Sequence, residues 1–184
     1  MLRQRRPAAV LAAVPGWFVW QTMQLENELS EAVQVISGRP DATVNCQGFL
    51  RGFRLDNNLG EVQRSRDGTM STQADLRDSV CDNISSYLDS DKSNPSLDQV
   101  IAVHVLTHEA MHVAGDANER TTECNAMQAD KEMAMQLGAT AEQAQALATR
   151  YAAEVYPRMP NGYKAPECRE DGAWDHTPDD GVWP

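Results

Sequence analysis

Apolar residues recur at helical spacing in five stretches of this chain and at strand-like spacing in one region between the first two. Leu25, Leu29, Ala32, Val33 and Ile36 share one helical face, and Gly38-Arg39-Pro40-Asp41 ends that run. Leu76, Val80, Ile84, Tyr87 and Leu88 mark a second helix, followed by turn formers over 89–95. The third is the best delimited. Ser96 with Gln99 forms a capping-box pattern, Pro95 disfavours helix upstream, and Gly115 ends it after Ala114. Its apolar side includes Ile101, Val105 and Leu106, widened by Val103, Ala110 and Val113, so it reads as a buried helix. A fourth helix is expected over about 117–137, stopping at Gly138. A fifth is expected over 141–156, capped by Thr140 with Gln143 and ended by Pro157. Residues 44–55 predict an imperfect strand, Asp56-Asn57-Asn58 a turn, and 59–63 a second short strand, while 64–73 is polar and reads as a loop. The fold expected is mainly α (α+β), a helical domain with a small β-hairpin or sheet.

Length and charge narrow the picture. The chain has 184 residues, enough for one domain with a real core. Its formal net charge of -11 makes nucleic acid and anionic membranes poor partners. Three arginines (Arg3, Arg5, Arg6) precede an uncharged, mostly apolar run over 8–20, the layout of an export signal. The run is short for a membrane span, which needs about 20 residues. No clean cleavage site follows it, so secretion and cell-surface anchoring through residues 8–20 both stay open, and Pro15-Gly16 is expected to break helix there. Residues 1–20 are therefore read as signal peptide or anchor, 21–156 as the domain, and 157–184, rich in Pro, Gly and Asp, as a loop-rich tail packed on it. Four cysteines in an exported chain suggest two disulfides. Of three possible pairings, Cys46 with Cys81 and Cys124 with Cys168 is the one expected.

The candidate chemistry lies on the third helix, in His108-Glu109-Ala110-Met111-His112. This is H-E-x-x-H: histidines four apart share a helical face and can reach one metal ion, and the glutamate can take a proton from a metal-bound water. Catalytic zinc uses three protein ligands and keeps one position for water. In the Met-turn zincins the third ligand lies six residues past the second histidine, after a glycine. Gly115 fits that glycine, but position 118 is Asn118, a weak ligand. Glu119 and Glu123, four apart on the next helix, are the other candidates. His104, one turn before His108, reads as a core residue or a donor behind the ligands, because His104 and His112 are about 12 Å apart along the axis. His176 reads as a solvated tail residue. Tyr151, Tyr156 and Tyr163 are candidate donors to a transition state by residue type only, and Met111, Met127, Met133 and Met135 read as packing.

The run from His108 to Gly115, with Asn118-Glu119 and Glu123-Cys124-Asn125-Ala126-Met127-Gln128, resembles uncharacterised exported zinc-metallopeptidase-like proteins of actinobacteria. Tyr156-Pro157, Tyr163, Pro166-Glu167-Cys168 and Trp183-Pro184 extend the likeness over roughly residues 97–184, with a weaker match at Cys46 and Cys81. The resemblance implies a zincin-like fold and a glutamate-zincin site. In such sites the ligand often stands in a Glu-x-x-x-Ala-like helical context, which Glu123 to Met127 matches loosely. Glu123 is accordingly expected as third ligand, with Glu119 in reserve as a partner of an imidazole or of the helix end. The expected protein is a small exported Zn2+ metallopeptidase, with Glu109 as base and a peptide or protein as substrate. The alternatives are a zincin-fold binding or scaffolding protein with a structural metal, and an amidase acting on cell-wall peptides.

Overall fold

The computed structural model describes residues 14–47, 59–179 and 181–184. The protein is a mixed α+β fold, helical for the most part, with one small three-stranded sheet. In chain order the elements are α1 (Val14–Ser37), β1 (Thr43–Gln47), β2 (Gly60–Arg64), β3 (Met70–Arg77), α2 (Asp78–Leu88), α3 (Leu97–Ala114), α4 (Glu119–Gln136) and α5 (Ala141–Glu154). A 3-10 turn at Tyr156–Arg158 leads into the C-terminal segment.

α3 is the axis of the molecule. It packs against the other four helices and against β2 and β3. Val100, Val103, Leu106, Ala110 and Val113 on it are fully buried, and each large aliphatic side chain so placed stabilises the fold by about 1.5–3 kcal/mol. Its ends are those expected: the Ser96–Gln99 capping box forms, and Gly115 closes the helix with a left-handed φ of 112°. α5 begins with the expected Thr140–Gln143 box.

The sheet departs from the expected hairpin. Its order is β1-β3-β2, with β1 parallel and β2 antiparallel to β3. Residues 70–73, expected in a loop, are strand, and Leu76 ends that strand rather than opening α2. Ala74 and Leu76 point inward and are fully buried, but Ser71, Thr72 and Gln73 hide the alternation in the preceding half. The predicted turn at Asp56-Asn57-Asn58 lies outside the described residues. The two outer strands are treated differently. α1 closes the β1 edge, where Ser30 Oγ accepts from Val44 N at 2.8 Å and Glu26 Oε1 from Cys46 N at 2.9 Å. β2 has β3 as its only strand neighbour among the described residues.

α1 crosses position 20 without a break. Pro15 and Gly16 fall in its first turn, where a missing N–H costs nothing. No helix among the described residues is long and apolar enough to cross a membrane. α4 starts at Glu119 rather than 117, with Asn118 as its N-cap. Both disulfides have the expected pairing, Cys46–Cys81 joining β1 to α2 and Cys124–Cys168 joining α4 to the C-terminal segment. They close separations of 35 and 44 residues, worth roughly 4 kcal/mol each in lost unfolded-state entropy, and they point to an oxidising, extracellular setting. The tail is also held by Trp174 and Trp183 against the core and by Gln128 Nε2 donating to Trp174 O at 2.8 Å. Met127 and Met133 pack as expected, whereas Met135 is 39% exposed.

Candidate metal centre

His108 and His112 turn their imidazoles to one side of α3, and both are buried. Each ring is oriented from behind. His112 Nδ1 lies 2.7 Å from the backbone carbonyl of Asp116, which can only accept, so Nδ1 carries the proton. His108 Nδ1 lies 3.1 Å from Glu123 Oε2. Burial opposes ionisation of Glu123, but His104 and His108 hold its carboxyl well below the usual range, so it too is an acceptor. With both Nδ1 protons engaged, the two Nε2 atoms present lone pairs to each other 3.1 Å apart. Glu119 Oε2 completes a triangle, 3.2 Å from His108 Nε2 and 3.5 Å from His112 Nε2. Three acceptors at this separation repel unless a cation lies among them. In the metal-free state a proton can serve. Hydrogen bonds from His108 and His112 hold the Glu119 carboxyl down at about 2, while burial would lower His108 but Glu119 and Glu123 raise it to about 9. A metal ion can serve all three at once, and the two buried histidines with the half-exposed Glu119 could hold one.

The link from α3 to α4 places Glu119. Gly115 turns the chain, and Asp116 ties the corner by accepting from Asn118 N and Thr121 Oγ1 with Oδ1 and from Asn125 Nδ2 with Oδ2. Asn118 Oδ1 then accepts from Arg120 N at 3.0 Å, so the residue at the Met-turn zincin position is a helix cap. Glu119 follows at the mouth of α4, half exposed and beside the two Nε2 atoms.

Both Nε2 atoms have Glu119, the reserve, beside them, rather than Glu123, the residue expected as third ligand. That residue lies one turn deeper, 1% exposed, on the Nδ1 side of His108. Its other contacts are His104 Nε2 at 3.2 Å and the Tyr151 hydroxyl, which donates to Oε1 at 2.7 Å. His104, His108 and Glu123 are close enough to form a second metal-sized group, but their polar atoms there already pair with one another. His104 also meets Asp130 Oδ2 through Nδ1 at 2.8 Å and stacks on Tyr151 with ring centroids 3.5 Å apart. It acts behind the triangle and takes no part in it.

Glu109 sits on the cleft side, 4% exposed, and its Oε2 has no hydrogen-bond partner among the described residues. Burial pushes its carboxyl up to about 7 against the pull of His108 and His112. β2 passes directly over it. A Cβ on Gly60 would stand 2.7 Å from Glu109 Oε1, so glycine is what lets the strand approach.

The triangle opens into a cavity of about 560 Å³ between β2, α3, α4 and the C-terminal segment. Of the three tyrosines, only Tyr163 is a partly exposed member of its wall, with its ring centroid 5.9 Å from that of His108. Tyr151 is buried on Glu123, and the Tyr156 hydroxyl accepts from Ala165 N at 3.2 Å. His176 is exposed, bonded to Asn125 Oδ1 at 3.1 Å, and does not line the cavity. Sequence reasoning missed Gly60, for which nothing in the chain gives a signal. It also missed Asp130, although 119, 123 and 130 recur on one helical face.

No protein-family model matches the chain, and no curated protein or solved structure matches it either. What the site does has to be read from its own chemistry.

Proposed function

We propose that the protein is a zinc-dependent metallohydrolase, an exported metallopeptidase that hydrolyses peptide bonds. The observation that carries this reading is the triangle. Two Nε2 atoms and one carboxylate oxygen, with sides of 3.1, 3.2 and 3.5 Å, face one another, and with both Nδ1–H bonds formed a cation, either a proton or a metal ion, is needed among them. Ligands about 2.0–2.1 Å from a tetrahedral Zn2+ stand roughly 3.3 Å apart, so the spacing suits zinc. His108, His112 and Glu119 would hold the ion.

Zinc held there would supply a Lewis acid and lower the pKa of a water towards about 7. Glu109, whose Oε2 has no hydrogen-bond partner among the described residues and whose carboxyl burial raises to about 7, would be the base that takes a proton from water and returns it to the leaving amine. Tyr163 donates to the carbonyl oxygen as negative charge grows on it. A peptide is the favoured substrate because β2, an outer strand of the sheet among the described residues, lines the cleft, where an extended chain can lie alongside it. The two disulfides and the basic, then apolar, N-terminus support export.

The test is metal analysis with hydrolysis of casein and a peptide library by wild type beside Glu109→Ala. The variant should bind zinc as wild type does and lose roughly 10²–10⁴ in kcat/KM. Equal activity would sink the mechanism.

A further inference from the structure

Ile101 and Val105 do not behave as the core residues their sequence pattern suggests. Every other aliphatic side chain of α3 from Val100 to Ala110 is buried, whereas these two are only partly so. Positions 101, 105, 108 and 112 form one helical stripe, so both belong to the face that carries the two histidines. Val105 lies about 5 Å and Ile101 about 10 Å along the axis from His108. Both line the same cavity as the triangle, joined by Met70 from β3 and by Val155 and Met159 from beyond the end of α5. Five apolar side chains from three parts of the chain therefore extend the metal cleft into a hollow about two turns of helix deep. An apolar face of this kind, uncovered among the described residues and set within a largely buried helix, marks a place for a ligand.

We propose that this hollow is a side-chain pocket, and that the substrate is a peptide with a bulky apolar residue, of the size of leucine, methionine or phenylalanine, next to the scissile bond. The inference rests on the peptidase reading of the site. A charged side chain entering the pocket would lose its water without gaining a partner from these five residues. The polar groups at its inner end, His104 and Tyr151, are already engaged by Asp130 and Glu123. The nearest cationic wall residue, Arg64, is exposed and bonded to Gly68 O at 3.2 Å. A small residue would leave the pocket's apolar wall wet.

Two measurements on the zinc-loaded protein test this. The first is cleavage of peptides that vary one residue on either side of the scissile bond. The second is the affinity of peptide hydroxamates carrying a leucine or a glycine side chain, which needs no turnover. The expected result is roughly a hundredfold higher kcat/KM for leucine or phenylalanine than for glycine or aspartate at one flanking position, and at least about tenfold tighter binding of the leucine hydroxamate. Val105→Trp should fill the hollow and erase both preferences. Ile101→Ala, which cannot fail by overpacking, should shift the optimum to a larger residue. Equal binding of the two hydroxamates, a preference unchanged in both variants, or selection of acidic residues through Arg64 would overturn the pocket. If the leucine hydroxamate preference holds and Val105→Trp removes it, yet no peptide is cleaved, the pocket stands and the peptidase reading falls.

Discussion

The two sides of the His108 ring present the same residue type in opposite settings. On the cleft side Nε2 faces Glu119, half exposed at the first turn of α4. On the buried side Nδ1 faces Glu123, one turn further along the same helix and 1% exposed. Among the described residues the Glu119 carboxylate meets the two Nε2 atoms, which leaves it able to coordinate a metal ion. Glu123 is spent on three donors, His104, His108 and Tyr151. A carboxylate engaged by three donors is suited to orient an imidazole and raise its basicity, whereas one beside two converging Nε2 atoms is suited to a ligand's part. Four residues of helix separate the two settings, one half exposed and one buried.

The strongest way to break this contrast is to remove each carboxylate in turn. Glu119→Ala should weaken zinc binding on the order of 10³-fold, one ligand's share of a site, while destabilising the metal-free protein less than Glu123→Ala does, because Glu119 is half exposed. Glu123→Ala should do the reverse in emphasis. Zinc affinity should fall roughly 10–100-fold through misorientation of His108. The metal-free protein should lose about 3–5 kcal/mol, because His104, His108 and Tyr151 are left buried without their shared acceptor. Chelator competition and urea unfolding measure the two effects. If Glu123→Ala abolished zinc binding and Glu119→Ala did not, the roles would be exchanged.

How far the chain itself disclosed this depends on what each residue answers to. The helix carrying His108 and His112, its capping box and its closing glycine are local features, set by contacts within a few residues, and they stand as the sequence predicts. The place of Glu119 beside the two histidines is decided by where α4 begins. That depends on Asp116 tying the corner and Asn118 capping the helix, a set of side-chain bonds that no periodicity reports. Gly60 and Glu109 meet across a long stretch of sequence, so only the folded chain brings them together. The sheet was illegible for a different reason. β3 is the central strand, yet its first half carries Ser71, Thr72 and Gln73, so the alternation that would have marked it appears only at Ala74 and Leu76. Ile101 and Val105 have the composition of core, and their place on the cleft wall follows from what the rest of the fold leaves uncovered.

A smaller effect sharpens the buried side alone. His104 is faced by Asp130 and Glu123 from α4, by Tyr151 from α5 and by His108 on its own helix. Burial by itself would lower its pKa, but the two carboxylates on its ring nitrogens raise it from 6.5 to about 10. A histidine raised on folding contributes stability that is fully present below its unfolded pKa and is lost as pH rises through the folded one. The metal-free protein should therefore lose on the order of 1–3 kcal/mol between pH 6.5 and about 10. That part of the profile should be missing in His104→Gln. Urea midpoints for both proteins across this range decide it, and parallel profiles would show that His104 carries no extra proton in the folded state.

The smallest perturbation separates the two glutamates without touching either. Asn118 caps α4 through a bond to Arg120 N, and Asn118→Ala should cost about 1 kcal/mol by loosening the first turn. Glu119 lies in that turn and Glu123 lies beyond it, pinned by its own buried partners. The cap's loss should therefore reach only the cleft side of His108. Zinc affinity should drop several-fold as Glu119 wanders. The His104 pH profile and the Nδ1–H resonance of His108 in the metal-free protein should stay where they are. A shift of that resonance in Asn118→Ala would mean that the two sides of the ring move together, and that α4 positions both glutamates as one rigid unit.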